Sequence, residues 1–176
     1  MFGAAEVAAI LISRWSSLER WFPPNFKVGD TSKIYLSLTS VQGACFIVGG
    51  SFLRWKCNET FRGWLTSESS PLKANYILTS GPYSIVRHPT YTAAIMVYLG
   101  IFCWFGSRGS WVRESGVLTT VLGKAMVGTM STLMLGAIAF GLIRMHDEDN
   151  LLRREFEEEW TPWAERVPNR LIPGVY

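Results

Sequence analysis

Two short stretches of the sequence carry the residue types of a binding site. In GPYSIVRHPTY (residues 81–91), a cation and a histidine stand directly before a proline and an apolar run. Further along, Arg144 is followed four residues later by Glu148, where another apolar run ends. Side chains four residues apart share a helix face, and a guanidinium can hold a carboxylate through two hydrogen bonds. Whether these residues form a site or only a membrane border depends on the elements that place them.

The composition indicates a membrane protein of one domain. The chain has 176 residues, of which 48% are hydrophobic and only 18% are charged, against about a quarter charged in soluble domains. A net charge of +3 without a basic stripe does not favour a nucleic-acid-binding protein, and we expect no nucleic-acid partner. Three cysteines at unrelated spacings and two distant histidines exclude a disulfide framework and predict no metal site. We expect a single integral-membrane domain over residues 1–176.

Three apolar stretches predict membrane-spanning helices, at residues 34–53, 90–105 and 125–143. The last stretch is placed after Lys124, because a lysine at the bilayer border can extend its amine to water. Gly128, Thr132 and Gly136 then share one face, and small residues at this spacing let a partner helix approach closely. The apolar stretch 4–12 is too short to span and lacks the features of a signal peptide. The predicted fold is an all-α, polytopic membrane helical bundle.

Charge predicts the orientation of this bundle. Residues 54–89 carry five basic side chains and the tail from residue 144 carries five more, whereas the connection between the last two spans has only Arg108 and Arg113 before the border residue Lys124. The positive-inside rule therefore places the 54–89 loop and the tail together in the cytosol. In the tail, an amphipathic helix is predicted from apolar residues at spacings of four, four and three, namely Leu152, Phe156, Trp160 and Trp163.

The sequence also predicts local structure around His88. Gly81 and Pro82 favour a turn. His88 precedes a proline and is thereby kept out of the helical region, whereas Pro89 suits the first turn of a helix. Backbone N–H groups at that helix start would favour an anion. Instead of a binding site, the stretch 81–91 could be a basic, aromatic membrane border. Arg144 and Glu148 could likewise be a surface ion pair, which contributes about 0.2–0.5 kcal/mol.

Together these stretches resemble the isoprenylcysteine carboxyl methyltransferase family, within the wider membrane methyltransferases that include the phospholipid N-methyltransferases. The resemblance lies in NYILTSGPYSIVRHPTY (75–91), RMHDEDNLLRREFEEEW (144–160) and RVPNRLIP (166–173). The family pattern is G-x-Y-x-x-x-R-H-P-x-Y, then an arginine followed four residues later by glutamate, then a proline-punctuated end. The motif-bearing core covers about residues 75–173.

The resemblance implies a multispan enzyme of the endoplasmic reticulum that uses S-adenosyl-L-methionine at its cytosolic face, with the loop and the C-terminal amphipathic helix closing the site. Its acceptor would be the C-terminal carboxylate of a prenylated cysteine, entering from the bilayer. Arg144 matches the arginine that faces the substrate. The residues matching the cofactor site are Asn75, Tyr76, Ile77, Leu78, Tyr83, His88, Tyr91 and Glu148.

Other functions stay open at this point. A phospholipid or another small amphiphile is a second acceptor class, although an amine would have to lose a proton and would gain little from Arg144. Sterol-type membrane reductases carry a similar RHP…Y stretch but bind a dinucleotide phosphate. A non-catalytic membrane scaffold would bind no cofactor at all.

Overall fold

A computed structural model describes residues 33–66 and 77–175, and every regular element in these two ranges is helical. The α-helices are α1 (Leu38–Thr66), α2 (Pro89–Gly106), α3 (Trp111–Glu114), α4 (Val121–Glu155) and α5 (Glu157–Arg166). Short 3-10 turns lie at Gly81–Ser84 and Val117–Thr119. The all-α prediction is confirmed.

The start of α1 corrects the first predicted span. Ser37 caps this helix, since its Oγ accepts a hydrogen bond from the Ser40 N–H (3.2 Å) and its carbonyl accepts one from the Val41 N–H (3.0 Å). The helix therefore begins at Leu38 and continues past the predicted end at residue 53 to Thr66. Polar residues interrupt its apolar face, and α1 is not among the described helices that are apolar enough to cross a membrane.

Two stretches of the described residues are long and apolar enough to span a membrane: Pro89–Glu114, which includes α2 and α3, and Val121–Glu155, which is α4. They contain the predicted spans 90–105 and 125–143. At about 1.5 Å per residue, the 35 residues of α4 measure about 52 Å, well beyond a hydrocarbon core of about 30 Å. The charged carboxyl-terminal part of α4, from Arg144 onward, therefore extends outside the hydrocarbon.

The chain divides into two compact units, and the first comprises residues 1–45 and 99–133. In its described part, Trp111 and Val112 of α3 are buried. Partly buried apolar side chains pack against this pair, namely Ile34, Phe105, Val117, Leu118 and Val127. Gly109 is needed beside them, because its φ is +80° and a Cβ there would lie 2.5 Å from the Tyr35 carbonyl oxygen.

The second unit comprises Phe46–Tyr98 and Met134–Tyr176. Within it, α1 and α2 approach each other closely at Gly50. A Cβ at this position would lie 2.7 Å from the Ala93 carbonyl oxygen and 2.9 Å from Val97 Cγ2. Ala93 is fully buried, so the neighbouring backbone has no space into which it can move.

We expect Gly50→Ala to lower the free energy of unfolding by about 1–3 kcal/mol, because the new methyl group overpacks the α1–α2 contact. Gly63→Ala in the same helix is the matched control, since a Cβ at Gly63 meets nothing within 4 Å. That control should be neutral or stabilising, because alanine favours a helix over glycine by about 0.5–1 kcal/mol. Thermal unfolding in detergent measures both, and equal stabilities for the two variants would contradict the prediction.

The small-residue face of α4 is not packed against the described residues. A Cβ at Gly128 or at Gly136 would meet nothing within 4 Å. The predicted close contact with a partner helix is therefore not formed within the part of the chain that the structure describes.

The tail has the predicted amphipathic pattern but consists of two helices. Leu152, Phe156, Trp160 and Trp163 are buried or half-buried, whereas most positions between them are exposed. Phe156 has φ −128° and ψ 42°, which is not helical, so α4 ends at Glu155 and α5 begins at Glu157. The apolar periodicity is confirmed, and the single continuous helix is wrong.

Candidate functional site

The loop before α2 has the local structure that its sequence predicts. Gly81 opens a 3-10 turn at a φ of +60°, and a Cβ there would lie 2.7 Å from Thr60 Oγ1, so glycine is required. α2 begins at Pro89. The His88 carbonyl accepts hydrogen bonds from the Tyr91 and Thr92 N–H groups (3.1 and 3.2 Å) and caps the helix.

The backbone amides at this turn are bonded to the tail. The Arg87 N–H donates to the Asn169 carbonyl (3.0 Å), and the His88 N–H donates to the Arg170 carbonyl (2.9 Å). Arg87 Nη2 reaches the Pro168 carbonyl (2.8 Å), and Thr92 Oγ1 donates to the Leu171 carbonyl (2.7 Å). The tail segment 168–171 is thus fixed along the 87–92 turn, and these two amides face carbonyl groups rather than the predicted anion.

Asp149 is a buried carboxylate with donors from three residues. Its Oδ1 lies 2.8 Å from His88 Nε2, and its Oδ2 accepts from Arg87 Nη1 (3.0 Å) and lies 3.2 Å from Arg170 Nε. The side chain is only 6% exposed. Burial by itself raises the pKa of Asp149, but the His88 hydrogen bond and the surrounding positive charges outweigh it and lower the pKa below its usual value. Asp149 is therefore ionised and joins α4, the 87–88 turn and the tail.

A second group of side chains surrounds Glu148, one residue earlier on α4. Its Oε1 accepts hydrogen bonds from the Tyr91 hydroxyl (2.8 Å) and from Arg144 Nε (3.2 Å). Its Oε2 lies 3.8 Å from His88 Nδ1, too far for a hydrogen bond. Three predicted site residues, namely His88 directly before α2, Tyr91 of α2 and Arg144 of α4, thus lie around the carboxylate of a fourth, Glu148.

An apolar groove between α2 and α4 adjoins this group. It is open to the surface and is lined by Tyr91, Ala94, Ile95, Tyr98, Ala137, Ile138, Gly141 and Leu142. Tyr91 belongs to both features, because its ring lines the groove and its hydroxyl bonds Glu148. A Cβ at Gly141 would lie 3.2 Å from the Tyr91 ring, so this glycine lets the ring lie against α4. An apolar ligand in the groove would have its polar end near Glu148.

The other predicted site residues make no hydrogen bond to Glu148 within the described part of the chain. Tyr83 is half-buried, and burial raises the pKa of its phenol. The Ile77 N–H donates to Glu159 Oε2 on α5 (3.4 Å), and Leu78 is half-buried. Asn75 and Tyr76 lie outside the described residues.

Sequence reasoning missed the partners of Asp149. Arg87 is the cation directly before the predicted site residue His88, yet its side chain bonds Asp149 and the tail and lies 5.7 Å from the Trp160 ring. Arg170 was not predicted at all. The available signal was an acidic residue directly after Glu148 and an arginine inside RVPNRLIP, but the pairing depends on three chain segments meeting in space.

Because the tail segment 168–171 is held partly by Thr92, we expect Thr92→Val to destabilise the fold. The variant keeps the side-chain shape but leaves the carbonyl of buried Leu171 without this donor, at a cost of about 1–3 kcal/mol. Thr161→Val is the matched control, since that hydroxyl donates to the Glu157 carbonyl at an exposed position. Thermal unfolding and limited proteolysis of the tail measure the effect. Equal losses in both variants would contradict a specific role for the Thr92 bond.

Comparison with known proteins gives two matches. Residues 38–127, about half of the chain, match the phospholipid methyltransferase family. Over 107 residues the chain is 32% identical to the cobalt-zinc-cadmium resistance protein CzcN of Cupriavidus metallidurans. The aligned stretch covers 61% of this chain and 40% of that protein. The chain therefore spans about two fifths of the length of this relative. No solved structure matches.

Proposed function

Because this chain belongs to the phospholipid methyltransferase family, we propose that it is a membrane methyltransferase that uses S-adenosyl-L-methionine and methylates an amphiphile. The observation that carries the proposal is the convergence of His88, Tyr91 and Arg144 on Glu148 beside an apolar groove. This arrangement provides acceptors for a polar cofactor, a cation for an acidic headgroup and an apolar surface for its chain.

The chemistry of these side chains fits the cofactor. Within the described residues, Glu148 Oε2 makes no hydrogen bond, so this oxygen can accept one from an amino or hydroxyl group. His88 and the loop residues Ile77 and Leu78 are the other side chains proposed to hold the cofactor, with Asn75 and Tyr76 beyond the described range. Aromatic faces stabilise cations, which suits Tyr83 and Tyr91 for a sulfonium.

S-adenosyl-L-methionine supplies a methyl group on a positively charged sulfur when it is bound. The chain's own residues then have to align two reactants and exclude water, which is the main source of rate enhancement for such a displacement. We propose that Arg144 orients the acceptor. Its side chain is 63% exposed and bonds Glu148 through Nε, so the two Nη groups can hold a planar anion.

The acceptor that we propose is the C-terminal carboxylate of a prenylated cysteine. A carboxylate is ionised near neutral pH and needs no base to become nucleophilic. Its position beside Arg144 would place the prenyl chain near the apolar groove. In this proposal the segment 54–89 and the tail face the cytosol, the enzyme resides in the endoplasmic reticulum, and its partners are prenylated protein C-termini and membrane lipid.

A phospholipid amine is the second candidate acceptor, and the family match favours it. Arg144 does not argue against this acceptor, because a guanidinium holds a phosphate as readily as a carboxylate. The amine would still have to lose a proton before it could accept the methyl group.

One experiment separates these candidates. The protein purified in detergent is tested for binding of S-adenosylhomocysteine, and then for transfer of a radiolabelled methyl group to a farnesylated cysteine analogue and to phosphatidylethanolamine. Transfer to the cysteine analogue supports the first acceptor, and transfer to the lipid amine alone replaces it with the second. Binding of a nicotinamide dinucleotide phosphate instead would indicate a reductase, and absence of any binding would indicate a scaffold.

The role of Arg144 can be tested in the same assay. We expect Arg144→Ala to reduce methyl transfer on the order of tenfold to a hundredfold through misplacement of the acceptor, with cofactor binding nearly unchanged. Arg154→Ala, at an exposed position of the same helix, is the control and should keep full activity. Unchanged turnover in Arg144→Ala would remove this residue from the site.

A further inference from the structure

The bonding of Asp149 determines where His88 carries its proton. Asp149 is ionised and already accepts from Arg87 at Oδ2, so it has no hydrogen to donate. The 2.8 Å contact between its Oδ1 and His88 Nε2 therefore requires that Nε2 is the donor. In a neutral imidazole with Nε2 protonated, Nδ1 is left with a lone pair and can only accept.

That lone pair faces the carboxylate proposed to hold the cofactor. His88 Nδ1 lies 3.8 Å from Glu148 Oε2, so two acceptor atoms stand close together with no hydrogen between them. A ligand group with two hydrogens to give, such as an amino group, can bond both atoms. If Nδ1 were protonated instead, its N–H group would lie beside Glu148 Oε2 and compete with the ligand for that oxygen.

We propose that Asp149 is a positioning residue that fixes the protonation of His88 so that Nδ1 and Glu148 Oε2 together form a two-acceptor site for an amino group or paired hydroxyls of the cofactor. The proposal rests on the proposed function for the identity of the ligand. The orientation of His88 rests on the geometry alone and is testable without a ligand.

The variant Asp149→Asn should reverse the donor and acceptor at this contact. The amide oxygen is expected to remain with the Arg87 and Arg170 donors, which places the amide NH2 against His88 Nε2. Nε2 must then accept, and the imidazole proton moves to Nδ1. Asp147→Asn is the matched control, because Asp147 is exposed on the same helix two residues away.

Nitrogen-15 NMR of the histidine rings reads this change directly. The chain has two histidines, and a His146→Gln background leaves His88 as the one observed ring. At alkaline pH, where the ring signals no longer change with pH, we expect protonated Nε2 and unprotonated Nδ1 in this background, and the reverse after Asp149→Asn. A residue with a purely structural role would lower stability without exchanging the two nitrogens. A protonated Nδ1 before the substitution would overturn the proposal.

Binding of S-adenosylhomocysteine gives the second readout. We expect Asp149→Asn to weaken it by about tenfold, the effect of roughly one hydrogen bond, with Asp147→Asn unchanged. His88→Gln retains a donor toward Asp149 but lacks the Nδ1 acceptor, so it should weaken binding similarly, and adding Asp149→Asn to it should change affinity less than about twofold. Equal, additive losses would overturn the proposal.

Failure of this inference is distinguishable from failure of the proposed function. If the unmodified protein binds no S-adenosylhomocysteine, the function is wrong while the ring spectrum still tests the positioning of His88. If the protein binds the cofactor analogue and Asp149→Asn binds equally well, the inference alone is wrong. If Asp149→Asn fails to fold, the ring spectrum of the His146→Gln protein and the affinity of His88→Gln for S-adenosylhomocysteine still test the inference.

Discussion

Replacing Glu148 with glutamine is expected to lower kcat/KM for methyl transfer by about 10- to 100-fold. Glutamine keeps the length of the side chain, and its oxygen can still accept from the Tyr91 hydroxyl and from Arg144 Nε. The loss comes from the second oxygen, because an amide NH2 cannot accept a hydrogen bond from the cofactor. A hydrogen bond to a charged group contributes about 1.5–3 kcal/mol, and about 1.4 kcal/mol corresponds to a factor of ten in rate.

Radiolabelled methyl transfer at varied cofactor concentration measures this effect. Glu155→Gln, an exposed substitution at the end of the same helix, should leave kcat/KM unchanged. We expect the loss in Glu148→Gln mainly as a raised KM for the cofactor, since the residue is proposed to bind the cofactor and not to act as a base. A normal KM together with a reduced kcat would show that Glu148 acts on the chemical step instead.

Asp149→Ala is expected to be the most destabilising substitution near the site. The buried carboxylate is bonded by Arg87 and His88 and lies 3.2 Å from Arg170, and its removal leaves these groups without their common acceptor. Breaking a buried ion pair by removing one partner costs about 3–5 kcal/mol. Such a loss is a large part of the total stability of an ordinary domain.

Chemical unfolding of the detergent-solubilised protein measures this loss. Asp147→Ala, at the exposed position two residues earlier, should change stability by less than about 0.5 kcal/mol. If the two alanine variants were equally stable, the Asp149 contacts would not hold the tail and the 87–88 turn together in solution.

Features fixed by neighbouring residues were predictable from the sequence. The start of α2 at Pro89 follows from the proline ring and its effect on His88, and the Arg144–Glu148 contact follows from helix geometry. Likewise, the burial of Trp160 and Trp163 follows from apolar spacing.

Features that depend on distant segments were not predictable. The bonds of Asp149 require the 87–88 turn, α4 and the tail to meet, and helical spacing places Asp149 on the face of Met145 and Leu152 but does not identify its partners in the other two segments. The break in the helix at Phe156 was also missed. The apolar spacing continues unchanged across this residue, although its backbone is not helical. The bounds of the predicted span 34–53 differ from those of α1, because the cap at Ser37 starts the helix at Leu38 and no apolar pattern marks its continuation to Thr66.

Because α4 is one continuous helix, the depth of the site relative to the membrane surface depends on the thickness of the bilayer. Residues 125–143 measure about 28 Å at 1.5 Å per residue, close to the thickness of a hydrocarbon core, and the same helix continues through Arg144 and Glu148 to Glu155. A thinner bilayer makes such a helix tilt, and a thicker one draws it upright. A change in the tilt of α4 would therefore change the depth at which the Arg144–Glu148 pair meets the lipid headgroups.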